Sequence, residues 1–219
     1  MQRVLEPELM DDHEQAIAYA QADFSKENQL FVEQFIEANP EFLSGHVLDL
    51  GCGPADIPIR LIRALPDCRV TAVDASEPMI RLASEAVRTA QLDRQITLRC
   101  ERFQSLVLDE PADATLSNSL VHHVPNPLQF WYRLKQLTKS GGAVLVMDLL
   151  RPESPEAAQA IVDRYAADAP AILKRDFYNS LLAAFTEDEV AAHLAELNLS
   201  RLVIDVIDDR HWVVAGRVY

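Results

Sequence analysis

Cysteine is scarce in this chain. Cys52, Cys68 and Cys100 are the three it has, separated by 16 and 32 residues. No two of them have the spacing of zinc ligands, and a reducing compartment suits free thiols in odd number. Basic charge is thin as well: 20 Lys and Arg stand against 34 Asp and Glu, for a net charge of −14. A nucleic-acid partner demands a basic footprint that displaces counterions from phosphates. Here positive charge gathers only as Arg60 with Arg63 and as Arg133, Lys135 and Lys139. DNA and RNA are therefore not expected substrates. No apolar run nears the ~18 residues that span a bilayer. The opening MQRVLEPELMDDHEQ is polar and acidic, unlike a signal or transit peptide, so a cytoplasmic location is expected. Glycine occupies six positions, yet two of them, Gly51 and Gly53, fall in one loop.

What is present is ordinary for a soluble globular protein: 49% hydrophobic and 25% charged residues. A length of 219 residues suits one domain with a full core. Short apolar runs at 46–51, 69–75, 95–100, 112–118 and 142–150 predict buried strands of a parallel sheet covered on both faces. Between them run helical stripes. Met79, Ile80, Ala83, Ala86, Val87 and Ala90 form one, opened by Ser76 as cap and Pro78 in the first turn. Phe130, Leu134 and Leu137 form another, with Gly141 as its expected stop. Thr186 and Glu189 make a capping box for a last helix. The final runs, RLVIDVI and HWVVAGRVY, are joined by three residues and must pair antiparallel. The expected fold is α/β: a seven-stranded, mostly parallel, Rossmann-like sheet with one antiparallel strand near the C-terminus and helices on both faces.

Two stretches stand outside this alternation. Residues 1–40 read as a helical extension, its second helix capped by Ser25 and stopped at Asn39-Pro40. Residues 151–180 read as an insert after the fifth strand. Open α/β sheets bind ligands beyond the carboxyl ends of their strands, so both stretches are candidates to cover that edge. The expected organisation is one domain over 1–219, with a core at 41–150 and a C-terminal helix and hairpin at 181–219.

The stretch VLDLGCGPAD (47–56) ends a strand and turns on Gly51 and Gly53, which permit close backbone approach by a ligand. A plain strand-to-helix turn is the competing reading. Asp74 ends the second strand 23 residues after Gly51, where an acid can accept both hydroxyls of a ribose. A pyrophosphate binder wants a third glycine; position 56 is Asp instead, and Asp49 adds a further acid. Acids at this place repel phosphate and suit a cation. S-adenosylmethionine is the nucleoside cofactor with positive charge and no phosphate.

VLDLGCGPAD followed by VTAVDAS resembles the first two motifs of class I S-adenosylmethionine-dependent methyltransferases. DATLSNSLVHHVPNP resembles their fourth-strand motif, and LKQLTKSGGAVLVMDLLRP their lead into the fifth strand, with Ser140 for the usual proline. The resemblance covers residues 44 to 217 and says little about substrate. It implies that Gly51, Cys52 and Gly53 pass under the methionine part, that Asp49 orders the loop, and that Asp74 holds the ribose. It further implies that Ala75 and Met79 flank the adenine, Glu101, Arg102 and Phe103 close its rim, and Asn118 faces the amino-acid end. Where the family often has an acid for the adenine amine, this chain has Cys100-Glu101-Arg102-Phe103, and Glu101 is the candidate. Tyr19 is the residue of the N-terminal extension expected to close over the cofactor.

Methyl transfer needs positioning and exclusion of water, with a base if the acceptor is a hydroxyl. His123 and Tyr178 are the candidate catalytic residues; His122, His211, Arg151 and Arg175 are further possibilities near the same edge. No metal-ligand spacing surrounds Asp148, and no metal is expected. The expected partner is a small-molecule methyl acceptor. A non-catalytic cofactor-binding regulator would keep the same loop and lack an acceptor cavity. An NAD(P)-dependent oxidoreductase would show G-x-G-x-x-G and a catalytic Tyr/Lys or His at the sheet edge.

Overall fold

The computed structural model of the protein describes residues 1–6 and 13–219. Its centre is a seven-stranded sheet in the order β3-β2-β1-β4-β5-β7-β6. The strands are β1 (Ser44–Leu50), β2 (Asp67–Asp74), β3 (Ile96–Cys100), β4 (Ala112–Asn118), β5 (Thr138–Leu149), β6 (Leu202–Val206) and β7 (His211–Arg217). β1 to β5 pair in parallel, and β7 runs antiparallel to both β5 and β6. This is the Rossmann-like arrangement with one reversed strand that the strand–helix alternation and the three-residue link predicted.

Side chains alternate across the central strands because the strand period is two. Val47, Leu116 and Leu145 point to one face, where Phe31, Phe35, Ile59 and Ile62 meet them. Those residues belong to α2 (Ser25–Ala38) and α3 (Asp56–Ala64), and α4 (Glu77–Thr89) completes the layer. Leu48, Leu50, Val144 and Val146 point the other way, onto Phe130, Trp131, Leu134 and Val190. These come from α5 (Pro127–Leu137) and α8 (Glu187–Glu196). Burial on both faces is the reason the strands read as near-continuous apolar runs. Ser76 caps α4 by accepting from Met79 N at 3.4 Å, and Thr186 with Glu189 forms the predicted capping box on α8.

Two local expectations are corrected. Ser25 lies inside α2, whose N-cap is Phe24 without a side-chain cap; Ser25 N instead donates to Asp23 Oδ1 at 3.0 Å. The helix before β5 stops at Leu137, not Gly141, because Thr138 turns extended while its Oγ1 donates to Leu134 O at 2.7 Å. Gly141 sits four residues on, in a β5 irregularity opposite the register shift between Ala112 and Ala114, with φ +81°. The 151–180 stretch is mostly helical: α6 (Pro155–Tyr165) and α7 (Ala171–Ala183) pack as a pair on Leu149.

The N-terminal extension is helical in α1 (His13–Gln21) and α2, but residues 1–6 are not. They lie along the end of α7, with Val4 N donating to Leu182 O at 3.0 Å. Residues 7–12 of the expected extension fall outside the described residues. No helix among the described residues is long and apolar enough to cross a membrane.

Candidate active site

β1 has β2 on one side and β4 on the other, so the connections leaving their carboxyl ends diverge and open a crevice there. A cavity of about 550 Å³ occupies it. At one end the wall is Ala75, Met79, Glu101, Arg102 and Phe103; in the middle it is Gly51, Gly53, Asp74 and Asn118; at the other it is His122, His123 and α7. Tyr19 and Phe24, their rings 4.9 Å apart, contribute the wall from α1 and the turn after it. Of the residues that the sequence brings to this edge, Asp49, Cys52, Asp56, Arg151, Arg175 and Tyr178 do not line the cavity, and the others do.

The glycine loop is built by its backbone. Gly51 N and Cys52 N donate to Val73 O at 2.8 and 3.0 Å, which holds the loop against the end of β2. Gly51 has φ +76° and Gly53 φ +50°, conformations in which a Cβ is strained. At Gly51 a Cβ would crowd Leu120 at 3.0 Å, whereas at Gly53 it would meet nothing within 4 Å. The space a side chain would take at Gly53 is therefore open to a ligand. Asp74 joins loop to helix: its Oδ2 accepts from Gly53 N at 2.9 Å and its Oδ1 from Ser76 N at 2.8 Å.

Asp49 lies under the loop, 2% exposed, and its Oδ2 has no hydrogen-bond partner. Burial, and then the charge of Asp74, push its carboxyl up to about 7. A buried carboxylate with an orphaned oxygen beside a second acid favours a cationic ligand. Asp56, expected from the sequence to repel phosphate here, does not line the cavity. Arg60 Nε at 2.7 Å and Asn28 Nδ2 at 2.9 Å already compensate it. Cys52 is buried with its thiol raised well above the ordinary value, by burial first, so it is a small loop residue and no nucleophile.

At the rim, Glu101 N donates to Asp74 O at 3.0 Å, and its carboxylate pairs with the Arg99 guanidinium. Met79, 3% exposed, serves core and cavity wall together. Phe103 sets its edge against Phe130, with ring centroids 5.7 Å apart. Tyr19 is pushed up to about 12, by burial first and then by Asp74 and Asp148. Its hydroxyl is therefore a neutral donor at physiological pH.

The far end holds a cluster that spacing could not reveal. His122 and His123 form a 3₁₀ turn after β4, their rings 4.2 Å apart. His122 Nδ1 is hydrogen-bonded to buried Asp148 at the end of β5, and His122 N donates to Asp148 Oδ2 at 3.1 Å. Burial alone would lower the His122 pKa, but Asp148 outweighs it and holds the imidazole above its ordinary value. Glu6 enters from the N-terminal segment, its Oε1 3.4 Å from His122 Nε2 and 3.3 Å from His123 Nδ1. Arg3 fixes that segment by donating to His122 O at 2.7 Å and Val124 O at 3.1 Å.

Tyr178 is placed otherwise than expected. It packs on the cluster of Leu149, Ala158, Ile161 and Leu181, while Leu173, Asp176, Phe177 and Ser180 present α7 to the cavity. Arg151 is engaged too: Nη2 pairs with Glu189 Oε1 at 2.7 Å and Nη1 donates to Ala184 O at 3.2 Å. Arg175 is exposed and pairs with Asp176 at 3.0 Å. His211 lines the cavity and pairs with Asp208 at 2.9 Å. Sequence reasoning missed Glu6, Asp176 and Phe177. A helical reading of 171–183 would have shown Leu173, Asp176, Phe177 and Ser180 sharing one face; nothing in the sequence signals Glu6.

Residues 47–142 match the family model described as a methyltransferase domain. Carboxy-S-adenosyl-L-methionine synthase of Marinobacter nauticus is 32% identical over 139 residues, which cover 62% of this chain and 53% of that protein. The chain spans about half or less of the length of the first curated relatives it matches. Among solved structures, a candidate S-adenosylmethionine-dependent methyltransferase of Methanococcus maripaludis superposes with a TM-score of 0.75 at 18% identity, covering 99% of this chain and 98% of that one. The plantazolicin methyltransferase BpumL, bound to S-adenosylhomocysteine and a monoazolic desmethylPZN analog, superposes with 0.70 at 14% identity, covering 92% and 90%. At such identities the likeness concerns the fold alone. The glycine loop and the central strands, residues 47–142, are thus the part of the chain that is similar to a methyltransferase domain.

Proposed function

We propose that the protein transfers a methyl group from S-adenosylmethionine to a small-molecule acceptor. The observation that carries this reading is one continuous cavity joining the acidic Asp49–Asp74 loop to the histidine turn. The open position at Gly53 and the orphaned Asp49 oxygen fit a cationic nucleoside. Bound there, the cofactor supplies an electrophilic methyl carbon whose bond to sulfur breaks as the acceptor attacks. The chain's own share is to hold the ribose on Asp74, to keep positive charge near Asp49, and to exclude water with Tyr19 and Phe24. BpumL, with its bound S-adenosylhomocysteine, supports the same use of the fold.

The acceptor end is formed by Leu173, Phe177 and Pro170, with Asp176 and His123 as polar groups. Apolar walls with a few placed polar groups suit a small molecule. His123 is the side chain we assign to receive the acceptor proton, because it is the less buried of the two histidines and lines the cavity. His122 is committed to Asp148 and positions its neighbour.

Calorimetry is expected to show binding of S-adenosylhomocysteine and none of NAD. Tight NAD binding with no response to S-adenosylhomocysteine would sink the reading. With an acceptor found by labelled-cofactor screening, His123→Ala is expected to lower turnover by about tenfold, ~1.4 kcal/mol. Cofactor affinity should change less than about threefold in the same variant. Wild-type turnover would move the acceptor off this wall.

A further inference from the structure

Glu6, His122 and His123 form a group that could hold a metal ion. Glu6 Oε1, His122 Nε2 and His123 Nδ1 lie within 4.8 Å of one another. The carboxylate oxygen stands 3.4 and 3.3 Å from the two ring nitrogens. Those separations exceed the ~2.7–2.9 Å of a charge-assisted hydrogen bond. They match the edge of a tetrahedron instead: nitrogen and oxygen ligands ~2.0–2.1 Å from one ion lie about 3.3–3.4 Å apart. Glu6 Oε1 is buried without a hydrogen-bond partner, on a side chain 10% exposed. A carboxylate oxygen in this state is costly unless a cation answers it, a protonated His122 at 3.4 Å or an ion that displaces that proton.

The surroundings are built in the same sense. His122 gives Nδ1 to Asp148, which also accepts from His122 N and Leu149 N and so is held in place. A carboxylate on the far nitrogen of a ligating imidazole fixes its orientation and tautomer and leaves the near nitrogen for the ion. Glu6 has its own outer partner, Ser180 Oγ donating to Oε2 at 3.3 Å. The backbone around the cluster is pinned by Arg3, which bonds the His122 and Val124 carbonyls.

We propose that Glu6, His122 and His123 bind a divalent first-row transition ion of the zinc class, with Asp148 and Ser180 as outer partners. Two imidazoles and one carboxylate are a borderline donor set, suited to zinc, cobalt or iron and not to calcium or magnesium. Three protein ligands leave a coordination position open, and both histidines line the cavity. An ion here would bind the acceptor's oxygen and lower its proton affinity; with Nδ1 on the ion, His123 would receive the acceptor proton only at Nε2. That role rests on the proposed methyl transfer; binding of the ion does not.

The test uses the full chain, stripped with a chelator and titrated with zinc chloride, and separately with cobalt chloride as a spectroscopic probe. One zinc ion per chain is expected, and the cobalt form should show visible d–d absorption of a low-coordinate site. Glu6→Gln and His123→Ala should each weaken zinc at least tenfold and change the cobalt spectrum, and Asp148→Asn should weaken zinc about ten- to hundredfold. Glu6 and His123 are chosen because His122 is buried and its loss could unfold the turn. No stoichiometric ion in the wild type overturns the site, as does an unchanged cobalt spectrum in both ligand variants. S-adenosylhomocysteine binding is measured on the same samples. Its retention in a chain that takes no metal overturns this site alone, and its absence in a chain that does take metal overturns the cofactor reading alone.

Discussion

Replacing Asp49 by asparagine is expected to stabilise the protein at pH 8 while weakening its cofactor binding. The unfolded acid titrates near ~3.9, and the folded one is pushed up to about 7 by burial and by Asp74. Between those values the folded chain holds a proton that the unfolded chain has lost. Stability therefore falls as pH rises from about 4 through about 7. Complete ionisation in the folded state costs up to about 4 kcal/mol at the top of that window. Asparagine cannot ionise, so urea melts should show a gap from wild type that opens between pH 4 and pH 8. A gap of equal size at both ends of the range would mean that Asp49 carries no such cost. The cost serves binding: a cationic ligand lowers the Asp49 pKa, so binding near pH 7 should release a fraction of a proton. Calorimetry in buffers of different ionisation heat reads that release directly.

Asp74→Ala is expected to weaken S-adenosylhomocysteine binding by roughly ten- to hundredfold, the ~1.5–3 kcal/mol carried by hydrogen bonds to a charged group. The structure adds a second cause to the proposed ribose contact. The carboxylate accepts from Gly53 N and Ser76 N, so its loss also frees the glycine loop from the start of α4. Asp74→Asn separates the two. The amide oxygen can still accept from Ser76 N, but the nitrogen cannot accept from Gly53 N. Its affinity should fall between those of wild type and Asp74→Ala. Unchanged affinity in Asp74→Ala would show that the acid only ends a strand.

The residues in the middle of the cavity wall and at its rim were legible because each lies within a few positions of a strand end. Gly51 and Gly53 follow β1, Asp74 closes β2, Glu101 follows β3 and Asn118 closes β4. Once the sheet is parallel, all those ends meet at one edge. Asp56 was misread for the opposite reason. Its charge is visible in the sequence, but its compensation comes partly from Asn28 on another helix. Tyr178 was misread because 151–180 was taken as an insert without helical phase. On α7 the residues facing the cavity are Phe177 and Asp176, and the tyrosine beside them turns to the α6–α7 core.

The amino-acid sequence by itself determined the alternation of strands and helices, the parallel sheet with its reversed strand, and the placing of a glycine loop and two acids at its edge. Local periodicity and turn chemistry carry that information, since each element states its own buried face. Tertiary structure alone decided what meets at the other end of the cavity. Glu6 reaches His122 and His123 across more than a hundred residues, and Asp148 meets His122 because β5 ends beside the turn that follows β4. Contacts of that range depend on the whole packing of the sheet and on Arg3 holding the first residues against it. No pattern of spacing along the chain encodes them.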